Sequence, residues 1–314
     1  MNPQRLSLAS LMKGDLTLRA VGARVRRVTA LALTTLALAV PATAHAAEAF
    51  TSGLFWRISR PGVPDSHVLG TIHVPDPRVN AVPDNVRAAL EGSRVLATEL
   101  VLRVVGDHLP DAEFLDPPQR LDTLLGAARF ADLQRALEAR DVPADTIWRL
   151  KPWAALLRLT ESAGTAGASL DDNLYALARA RRLPVRTLES ADEQLCAFDA
   201  IPLDTQVALL VDTLGHPADG SEARERAMRS YLAGDLAALA ALPPAARRDP
   251  ALDPHYRALA KHLIVDRTVV MHHSLFVPLR AGGVFVAVGA SHLYGDKGLL
   301  ALLRADGYRI TRLH

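Results

Sequence analysis

Short apolar runs with strand character alternate with longer segments of helical periodicity in this sequence, and this alternation limits the possible folds more than any other feature. The runs lie at residues 66–73, 94–99, 183–189 and 284–288. Between them apolar side chains recur at helical spacing, as Phe130, Leu133 and Leu137 do. Because strands that alternate with helices form sheets with helices on their faces, we predict an α/β fold with a largely parallel central sheet flanked by helices.

A mostly helical block separates two parts of the chain that carry strands. An alternating apolar run at 54–58 and a turn at 60–65 precede the first of the four runs, a pattern typical of a β-hairpin. The block from about 121 to 275 is mainly helical, and strand character returns at 284–288. We therefore predict a helical insertion between two strand-bearing halves. Since no flexible linker interrupts the chain, we predict a single domain over residues 47–314.

The first 46 residues have the features of an export signal. Three arginines precede an apolar run at 28–40, and a small-residue stretch at 42–47 follows it. The run is shorter than the roughly 20 residues that span a bilayer. We predict a signal peptide over 1–46, cleaved after Ala46, and a periplasmic or secreted protein that meets a membrane only through this peptide. An uncleaved anchor is the alternative, and the long basic stretch leaves Met12 open as the true start.

Removal of the signal peptide reverses the sign of the net charge. The whole chain has 36 Lys and Arg against 34 Asp and Glu, and six of the basic residues and one acid lie in residues 1–46. The remaining chain has 30 basic and 33 acidic residues, a formal net charge of −3, which gives no support for nucleic-acid binding. The one cysteine, Cys196, excludes an internal disulfide, and its semi-apolar neighbours predict a packed thiol.

A potential metal ligand or acid–base group follows each of four predicted strands: His73, Glu99, Glu189 and His292. In open α/β sheets, ligands bind beyond the carboxyl ends of the strands. If these strands lie side by side and parallel, two imidazoles and two carboxylates converge at one edge of the sheet. Gly70 and Gly289 each precede a histidine by three residues, where glycine permits a sharp turn or the close approach of a neighbouring group.

Arg267 joins this set through the periodicity of a long helix predicted from about 255 to 275. Apolar residues lie at helical spacing on both sides of it, so its side chain follows an apolar face. Because burial of an unpaired guanidinium is costly, we expect it to meet a carboxylate or an anionic group of a substrate. It forms a structural ion pair with Glu99 or Glu189, or it belongs to the catalytic site, and the two roles are compatible.

The order and spacing of these motifs resemble those of the TraB/GumN family, which is related to the TIKI metalloproteases and is placed with the ChaN/EreA-like fold. The resemblance covers nearly all of the chain after the predicted signal peptide and rests on the segments 54–56, 69–73, 98–100, 151–153, 171–174, 188–189 and 288–295. It implies a metal-dependent, hydrolase-like site at the two Gly-x-x-His motifs, to which His73, Glu99, Glu189, Arg267 and His292 belong. One departure is Thr268, where the family often has Asn, so a role of that amide does not transfer.

We predict that the protein is an exported hydrolase that cleaves peptide or related amide bonds with a divalent cation. His73 and His292 are predicted ligands, Glu99 or Glu189 completes the set, and the other glutamate acts as general base toward the attacking water. Mixed imidazole and carboxylate ligands suit Mn²⁺, Co²⁺ or Zn²⁺. The sequence contains no phosphate-binding loop, Gly-x-Ser-x-Gly elbow, His-Glu-x-x-His motif or Cys-x-x-Cys pair, which argues against nucleotide enzymes, serine hydrolases and classical zinc sites.

Two alternatives would use the same residues. A non-catalytic periplasmic protein would bind a peptide or haem there and saturate at a fixed stoichiometry, whereas an enzyme processes excess substrate. Haem binders among the ChaN-like relatives make this alternative plausible. Esterase-like chemistry, the second alternative, differs only in the substrate. The expected partner in each case is a peptide or a small molecule, and the sequence predicts no particular oligomeric state.

Overall fold

A computed structural model describes residues 50–99, 111–160, 167–217, 219–241 and 249–314. The predicted signal peptide lies outside these residues, so export stays a prediction. All of the described residues belong to one unit of mutual contacts, Thr43–His314. No single helix among them is long and apolar enough to cross a membrane. One bent pair, Ala191–Asp199 with Leu203–Gly215, meets the criterion by length and composition alone.

Six strands of the described residues form one sheet: β1 (Phe55–Arg60), β2 (Val63–Thr71), β3 (Val95–Thr98), β4 (Val185–Thr187), β5 (Val284–Gly289) and β6 (Arg309–Arg312). Their order across the sheet is β4-β3-β5-β2-β1-β6. The strands from β4 to β2 pair in parallel, whereas β1 runs antiparallel to both β2 and β6. The predicted α/β fold is confirmed, with a mixed sheet whose parallel part consists of the four strands that precede the predicted site residues. The ChaN/EreA-like relationship stays a prediction.

Thirteen α-helices lie within the described residues: α1 (Asp84–Glu91), α2 (Leu121–Leu125), α3 (Ala127–Glu138), α4 (Ala144–Ile147), α5 (Pro152–Thr160), α6 (Leu170–Ala180), α7 (Ala191–Asp199), α8 (Leu203–Gly215), α9 (Asp219–Leu232), α10 (Leu236–Ala240), α11 (Asp253–Ala260), α12 (Arg267–Ala281) and α13 (Leu299–Ala305). Two short 3₁₀ turns cover Pro250–Leu252 and Ala290–His292. Helix α7 buries none of its residues fully, and Cys196 on it is exposed. The prediction of a packed thiol is therefore wrong.

Helices cover both faces of the sheet, as the alternation of side chains along β5 shows. Val284, Val286 and Val288 belong to the core formed with α12 and α13. Phe285 and Ala287 belong to the opposite core, formed with α1 and α6. All five side chains are buried, as expected for a strand covered on both faces. The helical block has a further core of its own, built from α2 to α5 and α8, while β4 returns from within that block to the sheet.

The long helix predicted from about 255 to 275 is not one regular α-helix. A π-helical segment, Lys261–Asp266, separates α11 from α12, and α12 continues to Ala281. A π turn holds more residues than an α turn, so it changes the direction in which the following side chains point, and such turns are frequent at functional sites. Arg267 is the first residue after this segment.

Serine residues cap the two helices on either side of β4 in the chain, α6 before it and α7 after it. Ser190 caps α7 in a reciprocal capping box with Glu193. Ser169 caps α6 in the same way with Asp172, so α6 begins at Leu170. Because Asp172 closes the box, the carboxylate of the preceding residue, Asp171, remains available for contacts outside the helix.

Candidate active site

The four predicted site residues that follow strands lie at one edge of the sheet. Strands β4, β3, β5 and β2 lie side by side and are followed by Glu189, Glu99, His292 and His73 in that order. Their parallel pairing places all four residues at the carboxyl ends of the strands. Glu99, Glu189 and His292 are buried, whereas 57% of the His73 side chain is exposed. The site therefore opens to solvent on the side of His73.

Glu99 lies between the two histidines. Its Oε1 is 3.7 Å from Nε2 of His292, and its Oε2 is 3.8 Å from Nε2 of His73. The backbone N–H of Gly289 donates to Oε1, and Nη2 of Arg267 donates to Oε2 over 3.0 Å. Burial by itself raises the pKa of Glu99, but the imidazoles, the guanidinium and this N–H outweigh burial and hold the pKa below its ordinary value. Glu99 is thus held as a carboxylate.

His73 is oriented through its Nδ1 atom. Asp171, in the first turn of α6, accepts a hydrogen bond from this nitrogen over 2.9 Å and another from the Thr71 hydroxyl over 2.8 Å. Since the carboxylate accepts, Nδ1 carries the hydrogen, and Nε2 faces Glu99. Burial lowers the pKa of His73, but Asp171 and Glu99 outweigh it and raise the pKa to about 9. A cation bound at Nε2 would have to displace the proton that this pKa implies at neutral pH.

His292 is oriented in the same way by a hydroxyl group. Its Nδ1 lies 2.8 Å from Oγ1 of Thr268, and that oxygen lies 2.6 Å from the carbonyl oxygen of Ile264. Because a carbonyl oxygen only accepts, the hydroxyl donates to Ile264, and Nδ1 of His292 donates to the hydroxyl. Burial is the main cause that lowers the pKa of His292, to about 4, so the ring is neutral at pH 7. Its Nε2 therefore carries a lone pair.

Two hydrogen-bond acceptors consequently face each other at the centre of the site. The Nε2 lone pair of His292 and the Oε1 atom of Glu99 are 3.7 Å apart, and neither can donate to the other. Two ligand atoms that each lie about 2.1 Å from the same ion are at most about 4.2 Å apart. The 3.7 Å between Glu99 and His292 and the 3.8 Å between Glu99 and His73 are both shorter than this limit, so one cation can contact both atoms of either pair. Imidazoles anchored through their second nitrogen are also typical of metal sites.

The donor types fit a divalent cation, but the side chains do not form a closed coordination sphere. Within the part of the chain that the structure describes, no group of three or more His, Cys, Asp or Glu side chains is arranged so that it could hold a metal ion. His73, Glu99 and His292 would therefore have to draw closer together around an ion. The exposed position of His73 allows such a movement, because its ring is not enclosed by neighbours.

Arg267 connects the two glutamates. Its Nε donates to Oε2 of Glu189 over 3.0 Å, its Nη2 donates to Oε1 of the same carboxylate, and Nη2 also donates to Glu99. Among the described residues, Glu189 forms no ion pair with either histidine. Burial raises the pKa of Glu189, while Arg267 acts in the opposite direction. The two glutamates thus differ: Glu99 lies beside the imidazoles, and Glu189 lies one strand farther along the sheet, on the arginine.

Close approach, rather than a sharp turn, explains the two glycines of the Gly-x-x-His motifs. Neither Gly70 nor Gly289 has a positive φ. A Cβ at Gly289 would lie 3.1 Å from Oε1 of Glu99 and 3.5 Å from Nε2 of His73. A Cβ at Gly70 would lie 2.8 Å from Cδ1 of Leu293, next to His292 in the chain. Gly289 therefore leaves room for the side chains of the site, and Gly70 leaves room for the turn that carries His292.

Three residues that complete the site were not among the predicted site residues. Asp171 and Thr268 orient the two imidazoles, and Tyr231 donates from its hydroxyl to the carbonyl oxygen of Gly70 over 2.9 Å. The capping box that leaves Asp171 available is a signal in the sequence. Thr268 stands next to Arg267, at a position where the sequence departs from the family pattern, and this departure gives no sign of its contact with His292. We find no sequence signal for Tyr231, which comes from α9, far along the chain.

Replacement of Asp171 with asparagine tests whether His73 belongs to a metal site: the affinity for a divalent cation is expected to fall by about 10- to 100-fold, the usual effect of losing a partner behind a metal-binding histidine. The uncharged amide accepts less strongly from Nδ1 of His73 and can also turn its NH₂ group toward it. Asp172→Asn is the matched control, since it makes the same change one residue away in the capping box. Calorimetric titration with Mn²⁺, Co²⁺ and Zn²⁺ measures both variants. Equal affinities for the two would contradict the role of Asp171.

Comparisons with known proteins found related sequences over most of the chain. A sequence model of the TraB/PrgY/gumN family matches residues 54–312. The uncharacterized protein YbaP of Shigella flexneri and that of Escherichia coli strain K12 are each 24% identical over 254 residues, which cover 79% of this chain and 90% of the relative. The metalloprotease TIKI2 of Danio rerio is 24% identical over an alignment that covers 82% of this chain and 60% of TIKI2. No solved structure matches significantly.

Proposed function

Because the chain belongs to the TraB/PrgY/gumN family and has two imidazoles and a carboxylate at one edge of its sheet, we propose that it is a metal-dependent hydrolase of peptide or related amide bonds. The observation that carries the proposal is the pair of acceptors, Nε2 of His292 and Oε1 of Glu99, which a cation between them would satisfy. The distant similarity to a protein named metalloprotease supports the same activity. We also propose export, since residues 1–46 have the pattern of a signal peptide.

In this proposal His73 and His292 would hold a Mn, Co or Zn ion through their Nε2 atoms, together with a carboxylate oxygen of Glu99. When bound, the ion supplies polarisation of the substrate carbonyl and a lowered pKa for an attacking water. Asp171 and Thr268 keep a hydrogen on the Nδ1 atom of each imidazole, so that both Nε2 atoms are directed at Glu99. Gly289 leaves space among these side chains and donates its N–H to Glu99.

Glu189 is the proposed general base. It is buried, forms no ion pair with a histidine among the described residues, and burial raises its pKa above the ordinary value of a glutamate, as suits a general base. A carboxylate oxygen of Glu189 accepts a proton from the water whose oxygen attacks the carbonyl carbon. The same oxygen then delivers this proton to the nitrogen as the C–N bond breaks, so one water is consumed and one carboxylic acid and one amine form. Arg267 holds Glu189 in place throughout.

Two isosteric substitutions test these roles. Glu99→Gln is expected to abolish both metal binding and hydrolysis, because it removes the charge between the imidazoles. Glu189→Gln should retain the metal and lose about 10²- to 10⁴-fold in rate, the contribution of a general base. Metal content and cleavage of an excess of internally quenched peptides are measured for both. Loss of the metal in Glu189→Gln alone would reverse the roles. A wild-type protein that binds peptide or haem at fixed stoichiometry, with no turnover, would support the binding-protein alternative.

A further inference from the structure

A cavity of about 490 Å³ lies in the helical part of the molecule, between α5, α7, α8, α9, α11 and the π-helical segment. Its volume falls within the roughly 300–1,000 Å³ of typical ligand pockets. Trp153, Ile201 and Leu209 form a buried part of its wall, whereas Leu157 and Glu222 are exposed. The cavity therefore has a closed inner end and an edge that reaches solvent.

The wall of this cavity is mostly apolar, and several of its polar groups have partners within the protein, although the charged side chains of Glu222 and Arg226 also belong to the wall. Gln206 accepts from the backbone N–H of Trp153 over 3.3 Å and donates to the carbonyl oxygen of Ile201 over 2.8 Å. The Tyr256 hydroxyl donates to Asp212 over 2.8 Å. A polar group that entered here would lose its hydration without gaining comparable hydrogen bonds, which is costly. The chemistry of the wall therefore selects an apolar occupant.

The same cavity shares its wall with the elements that position the candidate active site. Leu263 lines the cavity, and its carbonyl oxygen accepts from Nη1 of Arg267 over 3.3 Å. Leu263 lies in the π-helical segment directly before the arginine, so this part of the cavity wall is about one helical turn from Arg267 along the chain. Phe198, on the other side, lies on α7, which begins two residues after Glu189.

We infer that this cavity binds a bulky apolar side chain of the substrate, within a few residues of the bond that is cleaved. The inference rests on the proposed function and narrows its substrate class to peptides that carry a large aliphatic or aromatic residue near the scissile bond. The position of Leu263, which lines the cavity and bonds to Arg267 through its carbonyl oxygen, favours this occupant over a ligand unrelated to catalysis. The apolar wall distinguishes it from a charged or sugar-like group.

Substitutions that fill the cavity test the inference. Ala223, half-buried on α9, lines the cavity, and Ala223→Trp would place an indole in it, while Ala223→Ser preserves its volume. Thr213→Trp fills the cavity from α8 and serves if the first variant fails to fold.

The probes are internally quenched peptides of Ala and Ser, each with a single Phe at a different position. Wild type and Ala223→Ser should cleave the best Phe peptide at least about 10-fold faster in kcat/KM than the parent peptide without Phe, the ratio expected for burial of one large apolar side chain. Ala223→Trp should lose this preference and cleave the parent peptide at the wild-type rate.

The outcomes separate this inference from the proposed function. If wild type cleaves the parent peptide with no preference for Phe, or if the preference survives in both filled variants, the inference is overturned and the proposed function stands. If wild type cleaves none of the peptides, the proposed function and the assignment to a substrate fail together. Calorimetry then measures binding of the Phe peptides: binding that only the filled variants lose supports an apolar site in the cavity, and equal binding by all variants contradicts it.

Discussion

Hydrolysis and metal binding are both expected to be abolished when His292 is replaced by alanine. Its ring is buried, with 3% of the residue exposed, and Thr268 fixes which nitrogen carries the hydrogen. Among the described residues, His73 is the other imidazole within 4 Å of Glu99, and it is already a proposed ligand. Initial rates of peptide cleavage, measured at raised enzyme concentration, and metal content after dialysis give the two readouts.

His273→Ala is the matched control for this variant. His273 is exposed on α12, away from the strand ends, and is expected to keep both activity and metal. Loss of activity in His292→Ala with full retention of the metal would assign the imidazole a catalytic rather than a binding role. Full turnover in His292→Ala would contradict the location of the active site.

The free energy of unfolding is expected to fall by about 3–5 kcal/mol when Arg267 is replaced by methionine, because two buried carboxylates then lose their shared cation. Arg267 donates to both Glu189 and Glu99, and 11% of its side chain is exposed. Removal of one partner of a buried ion pair costs far more than the pair contributes by itself. Urea unfolding of the metal-free protein measures the change, with an unchanged dependence on urea concentration as the check on two-state behaviour.

Two further variants separate the buried pair from a general effect of arginine loss. Arg257→Met breaks an exposed ion pair with Asp253 and should leave the free energy of unfolding nearly unchanged. Glu189→Gln added to Arg267→Met should recover part of the lost stability, because it removes one of the uncompensated charges. A cost below about 1 kcal/mol for Arg267→Met, or no recovery in the double variant, would contradict the buried network.

The strand-end residues could be predicted because each directly follows an apolar β-run, and because parallel strands direct their carboxyl ends to one edge of the sheet. This local pattern was sufficient to identify His73, Glu99, Glu189 and His292 as candidates that the fold brings together. The pattern does not give the order of the strands, which depends on contacts between distant parts of the chain. That order decides which glutamate lies beside the histidines.

Contacts across the fold also explain what sequence reasoning missed. Asp171 lies 98 residues from His73 in the chain, and no local pattern links a helix cap to that histidine. Thr268 accepts a hydrogen bond from His292 because the π-helical segment before it ends at the site. The helical periodicity from which Arg267 was predicted assumes a regular α-helix, so it does not predict this contact. The apolar cavity is assembled from five helices and the π-helical segment, so its existence could be read only from the structure.

The most direct test of the central claim is the metal content of the protein that begins at Ala47, compared with the double variant His73→Ala, His292→Ala. Both are incubated with Mn²⁺, Co²⁺ and Zn²⁺, dialysed, and analysed by inductively coupled plasma mass spectrometry. Close to one equivalent of one of these metals in the wild type, absent from the double variant, is the expected result. No metal in either protein, or equal metal in both, would contradict a metal-dependent site at the two Gly-x-x-His motifs.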